Sequence, residues 1–147
     1  MAVPVTISGV EITATDLFNM KSCRIGPYRS SAGNFYGFFR QTTDTSLISV
    51  QKASDPTSSW SEVATLDITN KLQSIATVQA GDNIHIVTVK DNNTIQYHVF
   101  SMASDSFTTS NENTGATPGL NANRKLGIAV RSDGDVVIFY NGVEDTI

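Results

Sequence analysis

Short runs of β-branched and aromatic residues recur along the chain, separated by Gly, Asn, Asp and Ser. Such runs predict many short β-strands joined by tight turns, because branched and aromatic side chains fit a pleated sheet. Glu and Lys, which usually cover the exposed faces of long helices, are sparse. We therefore predict an all-β fold, with residues 108–123 as a polar surface loop. The predicted strands are 35–40, 47–52, 72–79, 84–90, 94–100, 126–131 and 136–141.

The runs also repeat along the chain. Residues 35–40 align with residues 84–89 at an offset of 49, and residues 84–89 align with residues 136–141 at an offset of 52. Residues 47–50 align with residues 95–98 at an offset of 48. A period near 50 with four short strands per unit is typical of β-propeller blades. A β-sandwich is the alternative.

The repeat divides the chain into an N-terminal segment, 1–22, and about two and a half propeller-type blades over 23–147. The repeat units span about 23–65, 66–115 and 120–147. Known propellers close with about four to eight blades. We therefore expect either that copies assemble or that the sequence belongs to a longer polypeptide, and we favour the longer polypeptide.

Composition narrows the function. The chain carries 10 basic and 14 acidic residues, which argues against binding to nucleic acid. It has no apolar run of about 20 residues and no signal-peptide pattern at its start, so we expect neither a transmembrane segment nor membrane insertion. One cysteine and two histidines leave little for a disulfide framework or a metal site, and we expect no cofactor.

Several stretches resemble sialidase-like β-propellers, whose blades carry Asp-box (BNR) repeats. Residues 23–27, Cys-Arg-Ile-Gly-Pro, resemble the Arg-Ile-Pro element near the start of such propellers, and residues 33–40 resemble the strand that follows. Residues 53–60 resemble a degenerate Asp-box, the hairpin motif Ser-x-Asp-x-Gly-x-Thr-Trp. The Asp-box-like residues are Asp55 and Trp60 in the first unit and Asp105 and Phe107 in the second.

The resemblance implies roles for these residues. The Asp-box residues would be structural, with the aspartate bonding across its turn and the aromatic ring packing between sheets. Arg24 would be the first of three arginines that hold a substrate carboxylate, Arg40 a nearby family arginine and Asp44 a residue near the acid/base aspartate. Arg131 would be a later arginine. Gly26 interrupts the first element, and the Tyr/Glu pair of the family belongs to later blades, so we assign no catalytic residue.

Two functions follow from this reading. The first is a non-catalytic propeller module for binding or assembly, as a surface, tail or fibre component of a phage virion. Its partners would be other blades, virion proteins or cell-surface glycan, and it would be found in the virion or outside the cell after assembly. Exposed aromatic residues would contact sugar or protein, and the candidates are Tyr28, Tyr36 and Tyr97. The alternative is the N-terminal part of a sialidase-like glycoside hydrolase.

Overall fold

A computed structural model describes residues 26–41, 44, 46–92, 94–116 and 126–140 of the chain. All secondary-structure elements within these ranges are β-strands, which confirms the all-β prediction. The N-terminal segment 1–22 lies outside the described residues. The strands are β1 (Tyr28–Arg29), β2 (Phe35–Arg40), β3 (Leu47–Ala53), β4 (Ser61–Asp67), β5 (Leu72–Ala80), β6 (Asn83–Lys90), β7 (Ile95–Ser101), β8 (Ser106–Asn113), β9 (Leu126–Val130) and β10 (Val136–Tyr140).

The strands form three antiparallel sheets in chain order. The first sheet is β1-β2-β3-β4, the second is β5-β6-β7-β8, and the third is the hairpin β9-β10. Within each sheet, strands that follow one another in sequence are paired. The first two sheets are therefore four-stranded meanders, the form predicted for the repeat unit.

The second sheet lies between the other two. On β6, Ile84 and Ile86 belong to a core shared with the first sheet, whereas Val87 and Val89 pack against residues of the third. Side chains alternate between the faces of a strand, so the second sheet is apolar on both faces. Three antiparallel sheets packed in this way are consistent with a partial propeller and with a sandwich.

The strand pairing sets the register of the repeat. Tyr36 and Phe38 of β2 face the second sheet, and Val87 and Val89 of β6 face the third, so β2 and β6 differ by an odd number of residues, in agreement with the predicted 49. With Phe35 matched to Ile84, their partners Ala53 and Phe100 place β3 and β7 at an offset of 100 − 53 = 47, not the predicted 48. The predicted alignment of residues 47–50 is therefore wrong by one residue. A one-residue shift exchanges the two faces of a strand. Both faces of these strands carry apolar residues, so the sequence pattern does not distinguish the two registers.

The polar stretch 108–123 is not simply a loop, because β8 occupies residues up to Asn113. Most of β8 is exposed, and its sequence, Ser-Phe-Thr-Thr-Ser-Asn-Glu-Asn, contains a single large apolar residue. It is the outermost strand of the second sheet, held by its ladder to β7. An edge strand needs few apolar residues, which is why the hydrophobic pattern missed it.

Polar contacts fix the first sheet on the second. The Ser31 backbone N–H donates to Asp82 Oδ1 at 2.7 Å, and Gln79 Nε2 donates to the Arg29 carbonyl oxygen at 2.8 Å. The Tyr28 hydroxyl hydrogen-bonds Thr77 Oγ1. Tyr36 is fully buried in the shared core. The prediction that Tyr28 and Tyr36 are exposed contact residues is therefore wrong, because both side chains face the second sheet.

His98 is a fully buried polar residue on the face of β7 that meets the first sheet. The Asn111 backbone N–H donates to His98 Nδ1 at 2.9 Å, so Nδ1 is the acceptor and the proton of the neutral ring lies on Nε2. His98 Nε2 lies 3.0 Å from Thr88 Oγ1 and donates to it. Burial, and then the nearby Lys90 charge, lowers the pKa of His98 to about 4.

We expect His98 to make the fold sensitive to acid. The unfolded chain binds a proton at His98 below about pH 6.5, whereas the native chain does so only near pH 4, so the free energy of unfolding falls across that window. Two and a half pKa units correspond to a loss of about 3 kcal/mol at pH 4. Urea unfolding of wild type and His98→Gln at pH 7.5 and pH 4.5 measures this loss of unfolding free energy.

The Gln variant should show a weaker pH dependence than wild type, since Gln does not titrate. His85→Gln is the control, because His85 is only half-buried and its pKa is lowered by burial alone. Equal pH dependence in wild type and His98→Gln would contradict the assignment.

Candidate binding site between the second and third sheets

Arg40 and Asp44 lie at the connection between β2 and β3. Arg40 ends β2 and is half-buried, with its Cα paired to that of Ile48. Asp44 Oδ1 accepts hydrogen bonds from the Ser46 backbone N–H at 2.9 Å and from Ser46 Oγ at 2.6 Å. These bonds lower the pKa of Asp44. A carboxylate held in this way stabilises its own turn and is poorly suited to act as a general acid.

Arg131 lies in the turn between β9 and β10. Its guanidinium forms ion pairs with Asp133 at 3.0 Å and with Asp135 at 3.3 Å. In the repeat this turn precedes the strand that aligns with β2, whereas Asp44 follows that strand, so the two occupy opposite ends of their units. The sequence-predicted ligand residues are therefore not one cluster within the described chain, and Arg24 lies outside the described residues.

In the first Asp-box-like hairpin, Asp55 bonds across its turn, whereas the Trp60 ring does not lie between two of the described sheets. Asp55 Oδ1 accepts from the Thr57 backbone N–H at 2.8 Å and from Thr57 Oγ1 at 2.5 Å. The hydrogen bonds from Thr57 lower the pKa of Asp55. Trp60 is 6% exposed, and its ring lies beside Gly37 on the face of the first sheet that points away from the second. Both residues serve the fold of this hairpin.

The second Asp-box-like aspartate has a different role. Asp105, at φ 52°, accepts from Lys52 Nζ at 2.6 Å through Oδ2, and its Oδ1 lies 2.7 Å from the Tyr36 hydroxyl. Both of these partners belong to the first sheet. Burial raises the pKa of Asp105, but the hydrogen bonds from Lys52 and Tyr36 outweigh burial and lower it overall. Phe107 stacks edge-on against Phe100, with ring centroids 5.2 Å apart.

Sequence reasoning missed the contribution of Lys52 and Tyr36 to this contact. Neither residue stands in a motif, and each is separated from Asp105 by more than fifty positions. The repeat was the only usable signal, since it predicted that neighbouring units pack together.

A small open pocket lies where the third sheet meets the second. Its volume is about 200 Å³. Its described lining combines one aromatic ring, one carboxylate, one hydroxyl and two aliphatic side chains. These are Tyr97 on β7, Glu112 on β8, Thr114 just after β8, and Val136 and Ile138 on β10.

Tyr97 is held in place by His85. The Tyr97 hydroxyl and His85 Nδ1 form a hydrogen bond of 2.6 Å, and the ring centroids lie 6.1 Å apart with near-parallel planes. Burial and the charge of Glu112 raise the pKa of Tyr97, so its hydroxyl stays protonated at neutral pH. The pocket therefore presents a fixed aromatic ring with a neutral hydroxyl beside an exposed carboxylate.

The described residues show neither a metal site nor a membrane span. Among them, no group of three or more His, Cys, Asp or Glu side chains could hold a metal ion. None of the described elements is a helix with the length and hydropathy needed to cross a bilayer.

Comparison with known proteins gives no family. No family model matches the sequence. A search of curated proteins finds no significant match. The pocket and the stacked sheets are therefore the basis for any statement about function.

We expect Asp105 to stabilise the chain more than its counterpart Asp55. Asp105→Asn removes the ion pair between two sheets while keeping a side chain that tolerates positive φ. Since the pair is partly exposed, with side chains 26% and 35% accessible, the loss should be about 1 kcal/mol. Asp55→Asn, within one exposed turn, is the matched control and should have less effect. Urea unfolding at pH 7 compares them, and equal losses would contradict an inter-sheet role.

Proposed function

We propose that this chain is a non-catalytic binding module of a virion surface, tail or fibre component, which contacts glycan or protein through the pocket between the second and third sheets. The observation that carries the proposal is the composition of the pocket. Tyr97, Val136 and Ile138 supply apolar surface, while Glu112 and Thr114 supply polar atoms at the rim. Binding sites commonly combine an apolar wall with a few placed polar groups.

A sugar ring matches this chemistry. Its C–H face is apolar and packs against aromatic and aliphatic side chains, and its hydroxyl groups donate to carboxylates. Glu112 is exposed to such hydroxyl groups. Hydrogen bonds to a charged acceptor are stronger than those between neutral groups. The volume of about 200 Å³ is below the 300–1,000 Å³ that is usual for drug-sized ligands, so the pocket suits one sugar unit or one side chain of a protein partner.

The same lining supports binding without hydrolysis. Most glycoside hydrolases place two carboxylates across the scissile bond. Among the described residues that line the pocket, Glu112 is the single carboxylate, and there is no arginine to hold a substrate carboxylate. Arg131, the later arginine implied by the resemblance, is neutralised by Asp133 and Asp135.

The virion setting is supported by composition. The chain is rich in Ser, Thr and Asn, contains one cysteine and has 16% charged residues. This composition resembles that of phage virion proteins that carry such propellers. The fold does not depend on a disulfide, because a chain of 147 residues buries enough surface for a sizeable core.

Binding to a panel of immobilised glycans and the effect of Glu112→Gln test the proposal. We expect the variant to bind the selected glycan about tenfold more weakly, which corresponds to one lost charge-assisted hydrogen bond. Glu62→Gln is the matched control, because Glu62 is also an exposed strand carboxylate but lies in the first sheet.

A fluorogenic sialoside measures hydrolysis by the same preparation. Sustained turnover would contradict a non-catalytic role. Equal loss of binding in Glu112→Gln and Glu62→Gln would show that the pocket is not the contact site.

A further inference from the structure

One position of the repeat is buried in the first two sheets and exposed in the third. Phe38 on β2, Val87 on β6 and Phe139 on β10 occupy corresponding positions, at the offsets of 49 and 52 that relate these strands. Phe38 and Val87 are 0% exposed, because each lies under the next sheet of the chain. Phe139 is 60% exposed. The outward face of the third sheet thus displays an aromatic side chain at a position that is buried in the first two sheets.

The opposite end of the stack is also aromatic. Tyr36 and Phe38 face the second sheet, so Phe35 and Phe39 lie on the other face of β2. Both are half-buried, and the Phe39 ring lies against Gly37, close to Trp60. The two ends of the three-sheet stack therefore differ from each other, and each has an aromatic face of the kind that packs against a neighbouring sheet inside the chain.

We propose that two copies of this chain close a ring of six sheets, with the third sheet of each copy packed on the first sheet of the other. This proposal rests on the stack and is independent of the proposed binding at the pocket. Within the chain, each sheet already receives the next on its outward face, and the same packing between copies buries Phe139 and Phe39. Propellers close with about four to eight blades. The three described sheets of each chain give 2 × 3 = 6 sheets for two copies and nine for three copies.

Charge also fits this arrangement. Gln79 on β5 donates to the Arg29 carbonyl of the preceding sheet. Arg29 holds the same place in the first sheet as Gln79 in the second, because they pair with Phe35 and Ile84. At the contact between copies, exposed Arg29 would therefore meet the β9–β10 turn of the other copy. That turn carries Asp133 and Asp135, whose side chains are 50% and 70% accessible. Both carboxylates pair with Arg131, so the turn presents a net charge of −1 to Arg29.

Light scattering coupled to size exclusion, over a range of chain concentrations, tests the proposal. Wild type should reach twice the chain mass of 15.8 kDa. Phe139→Asp should weaken the dimer at least tenfold, because it places a charge in the apolar contact. Tyr140→Asp is the matched control, since Tyr140 is 42% exposed and lies on the opposite face of the same strand. Circular dichroism confirms that the variants fold.

A mixing experiment tests the head-to-tail arrangement. Arg29→Glu should also weaken the dimer, since it would repel the acidic turn. A mixture of the Arg29→Glu and Phe139→Asp variants should regain part of the dimer. One of the two contacts in the mixed dimer then carries neither substitution. A wild-type monomer at all concentrations, an assembly other than a dimer, a dimer insensitive to Phe139→Asp, or a mixture without recovery would each overturn the proposal. A monomer that still binds glycan would leave the pocket assignment intact.

Discussion

The fold depends on a central sheet that is apolar on both faces. A four-stranded sheet with Ile84 and Ile86 on one side and Val87 and Val89 on the other cannot leave either side in water, since full burial of one such side chain contributes about 1.5–3 kcal/mol. The first sheet covers one face and the third hairpin covers the other. The order of layers is thus set by the residues of β6, and the pocket lies where the described hairpin β9–β10 meets the second sheet.

Polar contacts then select one arrangement among the many that apolar packing allows. Asp82 accepts a hydrogen bond from Ser31 in the turn between β1 and β2, and Asp105 accepts one from Lys52 on the neighbouring sheet. Their directional bonds fix how far one sheet slides over the next, which apolar contacts alone specify weakly. Asp105 therefore acts between two sheets, whereas Asp55 acts within its own hairpin. The same motif position has two structural roles because Asp105 has a cation within reach on the neighbouring sheet.

The sequence predicted most of the fold and little of the site. The bounds of β2 and the offset of 49 follow from local patterns of branched and aromatic residues, and they agree with the structure. The sequence pattern did not predict the strand β8, because an edge strand is held by backbone hydrogen bonds and not by apolar burial. The sequence did not predict the pocket for another reason. Tyr97 and Ile138 are 41 positions apart in the sequence, and only the stacking of the sheets brings them together. Buried His98 was likewise invisible, since its partner is a backbone N–H of β8.

The polar character of β8 bears on how the protein behaves at high concentration. An exposed strand edge with apolar side chains invites pairing with other chains and growth into fibrils. The Ser, Thr, Asn and Glu residues of β8 keep this rim hydrated, and its register shifts against β7 distort the ladder that an incoming strand would need. The rim of the second sheet therefore resists aggregation, and its chemistry directs any contact between molecules to the faces of the sheets.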